Sequence, residues 1–254
     1  MPSTASITPI YFVSDLHLGV GDAPTERRKL ALLLTLLGEI HDERADLYIV
    51  GDLFDFWYEY RSVVPRGYHA LFTALEKLRG AGCAVTYLAG NHDFAIGDFF
   101  SRDLDVTVVR DDHVFEAQGR RFSLAHGDGL AVRDTGYRLL KRVLRAPLSQ
   151  RLFRLLHPDL AFGIARRFSH TSRDYTSGRD FGEQDGMRAD AARRIAAGMD
   201  VVVMGHRHVP CIEAVGNGLY VNLGDWIGHY TYAVCRSGDI ALHTIRHGYQ
   251  EPYV

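Results

Sequence analysis

The sequence predicts an α/β fold whose strand ends converge on one crevice, and three observations predict it. Five apolar runs each end in a small cluster of Asp, Asn, Gly or His: IYFVSDLHLG from Ile10, LYIVGDLFDFW from Leu47, VTYLAGNHD from Val85, RFSLAHGD from Arg121 and VVVMGHRH from Val201. Segments with apolar residues at helical spacing lie between the runs, as crossovers between parallel strands require. The chain is also long and apolar enough, at 254 residues, 46% hydrophobic and 24% charged, to form one large domain over 1–254 with a substantial core.

Each apolar run is four to six residues long and ends where polar residues take the backbone out of the sheet, which reads as a buried strand. After the first, Leu30, Leu33, Leu34 and Leu37 mark a helix from about Pro24 to Ile40, completing a βαβ unit with the second run. Tyr68 to Arg79 reads as the next crossover helix, ended by Gly80 and Gly82, and the strand from Cys83 then delivers Asn91 and His92. From His113 the pattern becomes a hairpin turning at Gln118 and Gly119. A helix from about Glu183 to Ala197 precedes the GHRH run, and short strands with Gly-rich turns follow it.

The segment Arg133 to Arg179 departs from this alternation. It carries ten Arg and Lys141 against Asp134, Asp159 and Asp174, a net charge of +8, so the rest of a chain totalling −2 carries −10. Its apolar residues, among them Leu139, Leu140, Val143, Leu144, Leu148, Leu152, Phe153, Leu155 and Leu156, suggest amphipathic helices broken near Pro147 and Pro158. The expectation is a helical cap over about 133–180, able to hold an anionic substrate or to rest on an anionic membrane surface. A helical hairpin with a solvated charged face is the plainer alternative.

Loops beyond the carboxyl ends of strands in an open α/β sheet share a crevice, so Asp15, His17, Asp52, Asn91, His126, His206 and His208 are expected to meet there. Oxygen ligands mixed with imidazoles suit Mn, Fe or Zn better than Mg or Ca, and Mn is favoured here. Asp15 and His17 alternate closely enough to reach one ion, and His206 and His208 repeat the spacing. Asp52, in a Gly-Asp turn, is the carboxylate expected to bridge two ions. Two divalent ions about 3.5–4 Å apart clamp a phosphoryl group and activate water, so the expected reaction is hydrolysis at phosphorus. Gly-Asp and Gly-His pairs are common turn chemistry one at a time; five after apolar strands are a stronger signal. His41, His69, His113, His157, His170, His229, His243 and His247 lack that context and read as surface or core residues.

Taken in order, D-x-H, G-D-x-x-D, G-N-H-D, H-G-D and G-H-x-H resemble the motifs of the calcineurin-like metallophosphoesterases, from Ile10 to about Asn222. The resemblance implies a two-sheet sandwich flanked by helices, in four layers, with the seven residues above as metal ligands. It implies that His92 faces the scissile phosphate and protonates the leaving group, with Asp93 orienting it. Asp55 is expected to support the site through hydrogen bonds.

The basic cap after HGD makes the chain most similar to the UDP-2,3-diacylglucosamine pyrophosphohydrolases of lipid A synthesis. HGDGLAVRDTGY resembles their segment, implying that Asp134 and Tyr137 line the substrate site and that Ser172 and Arg173 contact phosphate and glucosamine, with Asn91 and His92 beside them. The implied partner is a glycolipid and the implied products are UMP and diacylglucosamine 1-phosphate, with peripheral contact at the cytoplasmic membrane face. That branch usually has Arg where this chain has His92, which keeps a phosphodiesterase or phosphatase acting on soluble nucleotides as an alternative. Nucleic acid is the less favoured partner, and a non-catalytic binding module is opposed by the intact ligand set. Cys83, Cys211 and Cys235 are odd in number and widely spaced, and MPSTASITPI has no basic region before an apolar core, so a reduced, cytoplasmic protein is expected.

Overall fold

Strands buried on both faces account for the continuous apolar runs. In β1 (Ile10–Val13), Ile10 and Phe12 pack between two sheets while Tyr11 and Val13 pack beneath helices. The computed structural model describes residues 8–93, 95–130, 146–164, 183–246 and 249–253.

The same alternation recurs in β2 (Asp46–Val50), whose Leu47 and Ile49 face the helices and whose Val50 faces the second sheet. β3 (Val85–Leu88) and β4 (Thr107–Val109) continue the parallel array β1, β2, β3, β4. Across the other edge of β1 run β10 (Thr231–Arg236), β11 (Asp239–Arg246) and β12 (Tyr249–Pro252), each antiparallel to its neighbour. The resulting order is β12-β11-β10-β1-β2-β3-β4.

The second sheet has the order β5-β6-β7-β9-β8. β5 (His113–Ala117) and β6 (Arg120–Ala125) form the expected hairpin, with Gln118 at φ 51° and Gly119 at φ 73°, both in the positive region that a two-residue turn of this kind requires. β6, β7 (Val201–Met204) and β9 (Gly218–Asn222) are parallel, and β8 (Cys211–Val215) closes the edge antiparallel to β9.

Helices α1 (Ala23–Asp42) and α2 (His69–Gly80) cover the first sheet, burying Leu32, Leu33, Leu36, Leu37 and Ile40, and Leu71, Leu75 and Leu78. α1 starts where its sequence says it should: Asp22 accepts the Thr25 N–H at 2.9 Å, with Pro24 in the first turn. The short α3 (Phe99–Arg102) buries Phe100 in the same layer. On the far side, α5 (Glu183–Ala196) packs Met187, Ala191 and Ile195 against Val202, Met204, Val215 and Tyr220. The layers are therefore helix, sheet, sheet, helix.

Within the cap segment, α4 (Pro147–Phe153) and a helical stretch over 158–164 both begin at the prolines expected to break it, since Pro is tolerated in a first turn. Phe153 and Phe162 lie 6.1 and 5.3 Å, ring to ring, from Phe56, in the loop after β2. The rest of the expected cap, with Asp134, Tyr137, Ser172 and Arg173, lies outside the described residues.

Candidate metal centre

The seven expected ligands come together at the carboxyl ends of β1, β2, β3, β6 and β7, and glycine makes the approach possible. A Cβ on Gly90 would fall on the Asp52 carboxylate and within 2.6 Å of the Asp52 amide nitrogen. One on Gly205 would collide with the Asp15 carboxylate and the Ser14 hydroxyl. The Gly of each G-N and G-H pair is thus fixed by the residue from the neighbouring loop.

Five of the seven hold left-handed backbone: Asp15 at φ 52°, His17 at 44°, Asp52 at 53°, His206 at 66° and His208 at 61°. Each such residue costs about 1–3 kcal/mol and persists only where its surroundings over-determine it. Here they do. Asp15 N–H donates to Gly51 O at 3.1 Å, His17 N–H to Asp52 O at 3.0 Å, Gly205 N–H to His126 O at 3.1 Å and Trp226 N–H to Asp15 O at 3.0 Å.

The side chains form two adjoining groups. In the first, His17 Nε2 and His208 Nε2 are 3.2 Å apart, and Asp15 Oδ1 lies 3.2 Å from His208 Nε2 and 3.7 Å from His17 Nε2. In the second, Asp52, His126 and His206 bring ligand atoms within 4.8 Å of one another, and Asn91 Oδ1 lies 2.9 Å from His126 Nε2. Asp52 Oδ2 stands between the groups, 3.7 Å from His17 Nε2 and 3.3 Å from His126 Nε2. Its other oxygen accepts the His92 N–H at 2.9 Å, so a single oxygen faces both groups.

The donor set fits divalent cations on its own evidence. Asp15 Oδ1 and His17 Nδ1 are buried without a hydrogen-bond partner, an arrangement that native interiors rarely leave unexplained. His126 Nδ1 faces the Val50 carbonyl at 3.0 Å; a carbonyl only accepts, so a proton stays on Nδ1 and Nε2 is the nitrogen turned toward the centre. Burial pulls the His17 pKa down, but the nearby Asp15, Asp55 and Asp52 carboxylates prevail and raise it to about 9. Burial likewise opposes His126, which the Asp52 charge nonetheless lifts well above 6.5. His206, buried and beside His126, is lowered to about 4. In the metal-free protein, protons on His17 and His126 therefore supply the positive charge that the two carboxylates demand.

His92 corrects one expectation. Asp93 does not orient it: the Asp93 carboxylate is turned the other way, accepting Gly90 N–H at 2.6 Å, Leu53 N–H at 2.8 Å and the Tyr87 hydroxyl. Asp55 takes that place, its carbonyl 2.8 Å and its carboxylate 3.8 Å from His92 Nδ1, and its carboxylate also lies 3.7 Å from His17 Nδ1. Burial and the nearby His17 lower the His92 pKa, although Asp52 opposes them. Asp93, buried and repelled by Asp52, is pushed up to about 6.

Asp225 joins the site unannounced. It follows β9, its Oδ1 accepts the N–H groups of Ile227, Gly228 and His229 at 3.2, 2.9 and 3.0 Å, and its Oδ2 lies 3.6 Å from His208 Nδ1. The signal was present: LYVNLGDW is a sixth apolar run ending in Gly-Asp.

Carboxylates, an amide oxygen and imidazoles crowded at the strand ends of two facing sheets would hold divalent cations able to polarise a phosphoryl group, so fold and centre together define a metal-dependent phosphoester hydrolase. Comparison with known proteins narrows the class. Residues 8–210 match the model of the calcineurin-like phosphoesterases, and the chain belongs to that family. It is 32% identical over 260 residues to the UDP-2,3-diacylglucosamine hydrolase of Porphyromonas gingivalis, covering 93% of this chain and 97% of that one. It is 34% identical over 223 residues to the enzyme of the same name from Pseudomonas savastanoi pv. phaseolicola, covering 85% and 88%. Among solved structures, the phosphoesterase Yfce from E. coli superposes with a TM-score of 0.45 at 18% identity over 96% of both chains; the fold assignment rests instead on the sheet order and the family match.

Proposed function

We propose that the chain hydrolyses the diphosphate of UDP-2,3-diacylglucosamine, releasing UMP and diacylglucosamine 1-phosphate, a step of lipid A biosynthesis. The observation that carries this reading is the likeness to UDP-2,3-diacylglucosamine hydrolases along 93% of the chain, a span that includes the cap as well as the metal centre.

Asp15, His17, Asp52 and His208 would hold one divalent ion, and Asp52, Asn91, His126 and His206 the other. Mn is favoured, with Fe or Zn sharing the same ligand preferences. When bound, the pair supplies a nucleophile from water near neutral pH and neutralises charge at phosphorus. Asp52 Oδ2 faces both groups of side chains and would be shared between them. Asp93 acts at one remove, tying Gly90 and Leu53 so that the Asp52 loop keeps its course.

His92 bears on the choice of substrate. With Nδ1 facing the Asp55 carbonyl and the pKa lowered, it is neutral near pH 7 and its Nε2 is an acceptor, poorly placed to protonate an alkoxide. A phosphate leaving group needs no such proton, which supports the diphosphate. Asn91 and His92 would contact it, Asp134 and Tyr137 would line the substrate site, and Ser172 and Arg173 would contact phosphate and glucosamine.

Exposed Leu148, Leu152, Leu155 and Leu160 beside Arg151 and Arg154 support contact of the cap with lipid at the cytoplasmic membrane face. Among the described residues no helix is long and apolar enough to cross a membrane. The test is Mn-dependent hydrolysis of UDP-2,3-diacylglucosamine in mixed micelles beside a chromogenic phosphodiester, with Asp52→Ala as control. UMP release from the lipid alone supports the reading, and turnover of only the diester replaces it with a general phosphodiesterase.

A further inference from the structure

Lys29 is one of the largest fully buried side chains of the described residues, 1% exposed on the apolar face of α1 among Leu32, Leu33 and Leu36. An ammonium is seldom buried unless paired, and a leucine would fill the same space at lower cost. Its two partners explain it. Nζ donates to the His17 carbonyl at 3.1 Å and to Glu26 Oε1 at 3.0 Å. Glu26, in the first turn of α1, also accepts the amides of Gly19 at 2.7 Å and Gly21 at 2.8 Å.

The loop from β1 to α1 is thereby closed from within, from the His17 carbonyl through Lys29 and Glu26 back to Gly19 and Gly21. His17 sits at φ 44°, and α1, anchored on the sheet, supplies the fixed point that holds its carbonyl. The second group is held by other means, His126 through its ring by the Val50 carbonyl and the Asp52 and Asn91 loops by Asp93, and neither Lys29 nor Glu26 touches it.

We propose that Lys29 and Glu26 are positioning residues for the Asp15, His17 and His208 half of the centre, setting its metal affinity and leaving the Asn91, His126 and His206 half unchanged. This rests on the ligand assignment proposed above.

The experiment is titration of metal-free full-length protein with Mn, followed by calorimetry and by the EPR signature of a coupled pair, for wild type, Lys29→Met and Glu26→Gln. Wild type is expected to take up two Mn. Lys29→Met should keep one site at wild-type affinity and weaken the other about 10–100-fold, the usual effect of losing a partner that orients a ligand. The coupled signal should then return only at correspondingly higher Mn. Glu26→Gln, at a part-exposed position, should move the same site by less, and decides the matter if Lys29→Met fails to fold. Equal weakening of both sites, or a lower melting temperature with the ratio of affinities unchanged, would overturn the inference in favour of a purely structural ion pair. Wild type that binds fewer than two Mn would instead overturn the ligand assignment, and the inference with it.

Discussion

The Asp15 carboxylate accepts the backbone N–H of His206 at 2.8 Å, tying the loop after β1 in one sheet to the loop after β7 in the other. One carboxylate thus both joins the sheets through Oδ2 and offers Oδ1 to the first ligand group. The two roles are separable by substitution. Asp15→Asn keeps an acceptor for His206 but loses the charge, so the fold should survive while Mn affinity falls at least a hundredfold. Asp15→Ala also leaves a buried N–H unpaired, at about 1–3 kcal/mol. Its melting temperature should drop a further several degrees, at roughly 2–4 °C per kcal/mol for a chain of this size. Equal melting of the two variants would refute the bridging role.

Metal uptake should release protons. His17, raised to about 9, and His126, raised well above 6.5, are both protonated in the metal-free protein at pH 7, and ligation requires neutral imidazoles. Calorimetry in buffers of different ionisation enthalpy should therefore detect protons released on Mn binding, with affinity rising as pH increases. For the metal-free protein the sign is opposite. Because the folded pKa of His17 lies above its ordinary 6.5, its ion pairs stabilise the fold fully below pH 6.5 and are lost as pH rises through about 9. Denaturant midpoints of the metal-free form should fall across that window, and a flat profile would contradict the assignment.

Asp225→Asn should weaken Mn binding about 10–100-fold, because the neutral amide orients the His208 ring less strongly than a carboxylate. The three backbone donors at Asp225 Oδ1 can still be satisfied by an amide oxygen, so the melting temperature of the metal-free protein should change little. A large loss of stability with unchanged affinity would make Asp225 a loop-closing residue only.

His92→Ala should lower kcat on the diphosphate by about ten- to a hundredfold, mostly below the 10²–10⁴ that a general acid contributes. Arg at this position should retain most of the activity, since a fixed positive charge also stabilises a phosphate leaving group. A loss beyond about 10³ for both variants would restore His92 as proton donor and favour substrates with alkoxide leaving groups.

All seven expected ligands are found together because each follows directly on a strand, where position in the chain nearly dictates position in space. The choice between Asp55 and Asp93 was not readable that way. Both lie within three residues of an expected ligand, and only the course of the loop after β3 sends the Asp93 carboxylate toward Gly90 and Leu53 while bringing the Asp55 carbonyl to His92. Thr107–Val109 was equally silent, since three residues are too few to show a period.

By itself the sequence determined the alternation of strand and helix, which residues follow the strand ends, and the family, because these depend on periodicity and on residues adjacent in the chain. Tertiary structure alone decided that Asp52 faces both ligand groups with one oxygen, that β10 lies antiparallel against β1, and that Asp225 and Lys29 reach the centre. Those relations join residues far apart in the chain through sheet order and loop direction, and no local pattern encodes a contact whose partner is chosen by packing.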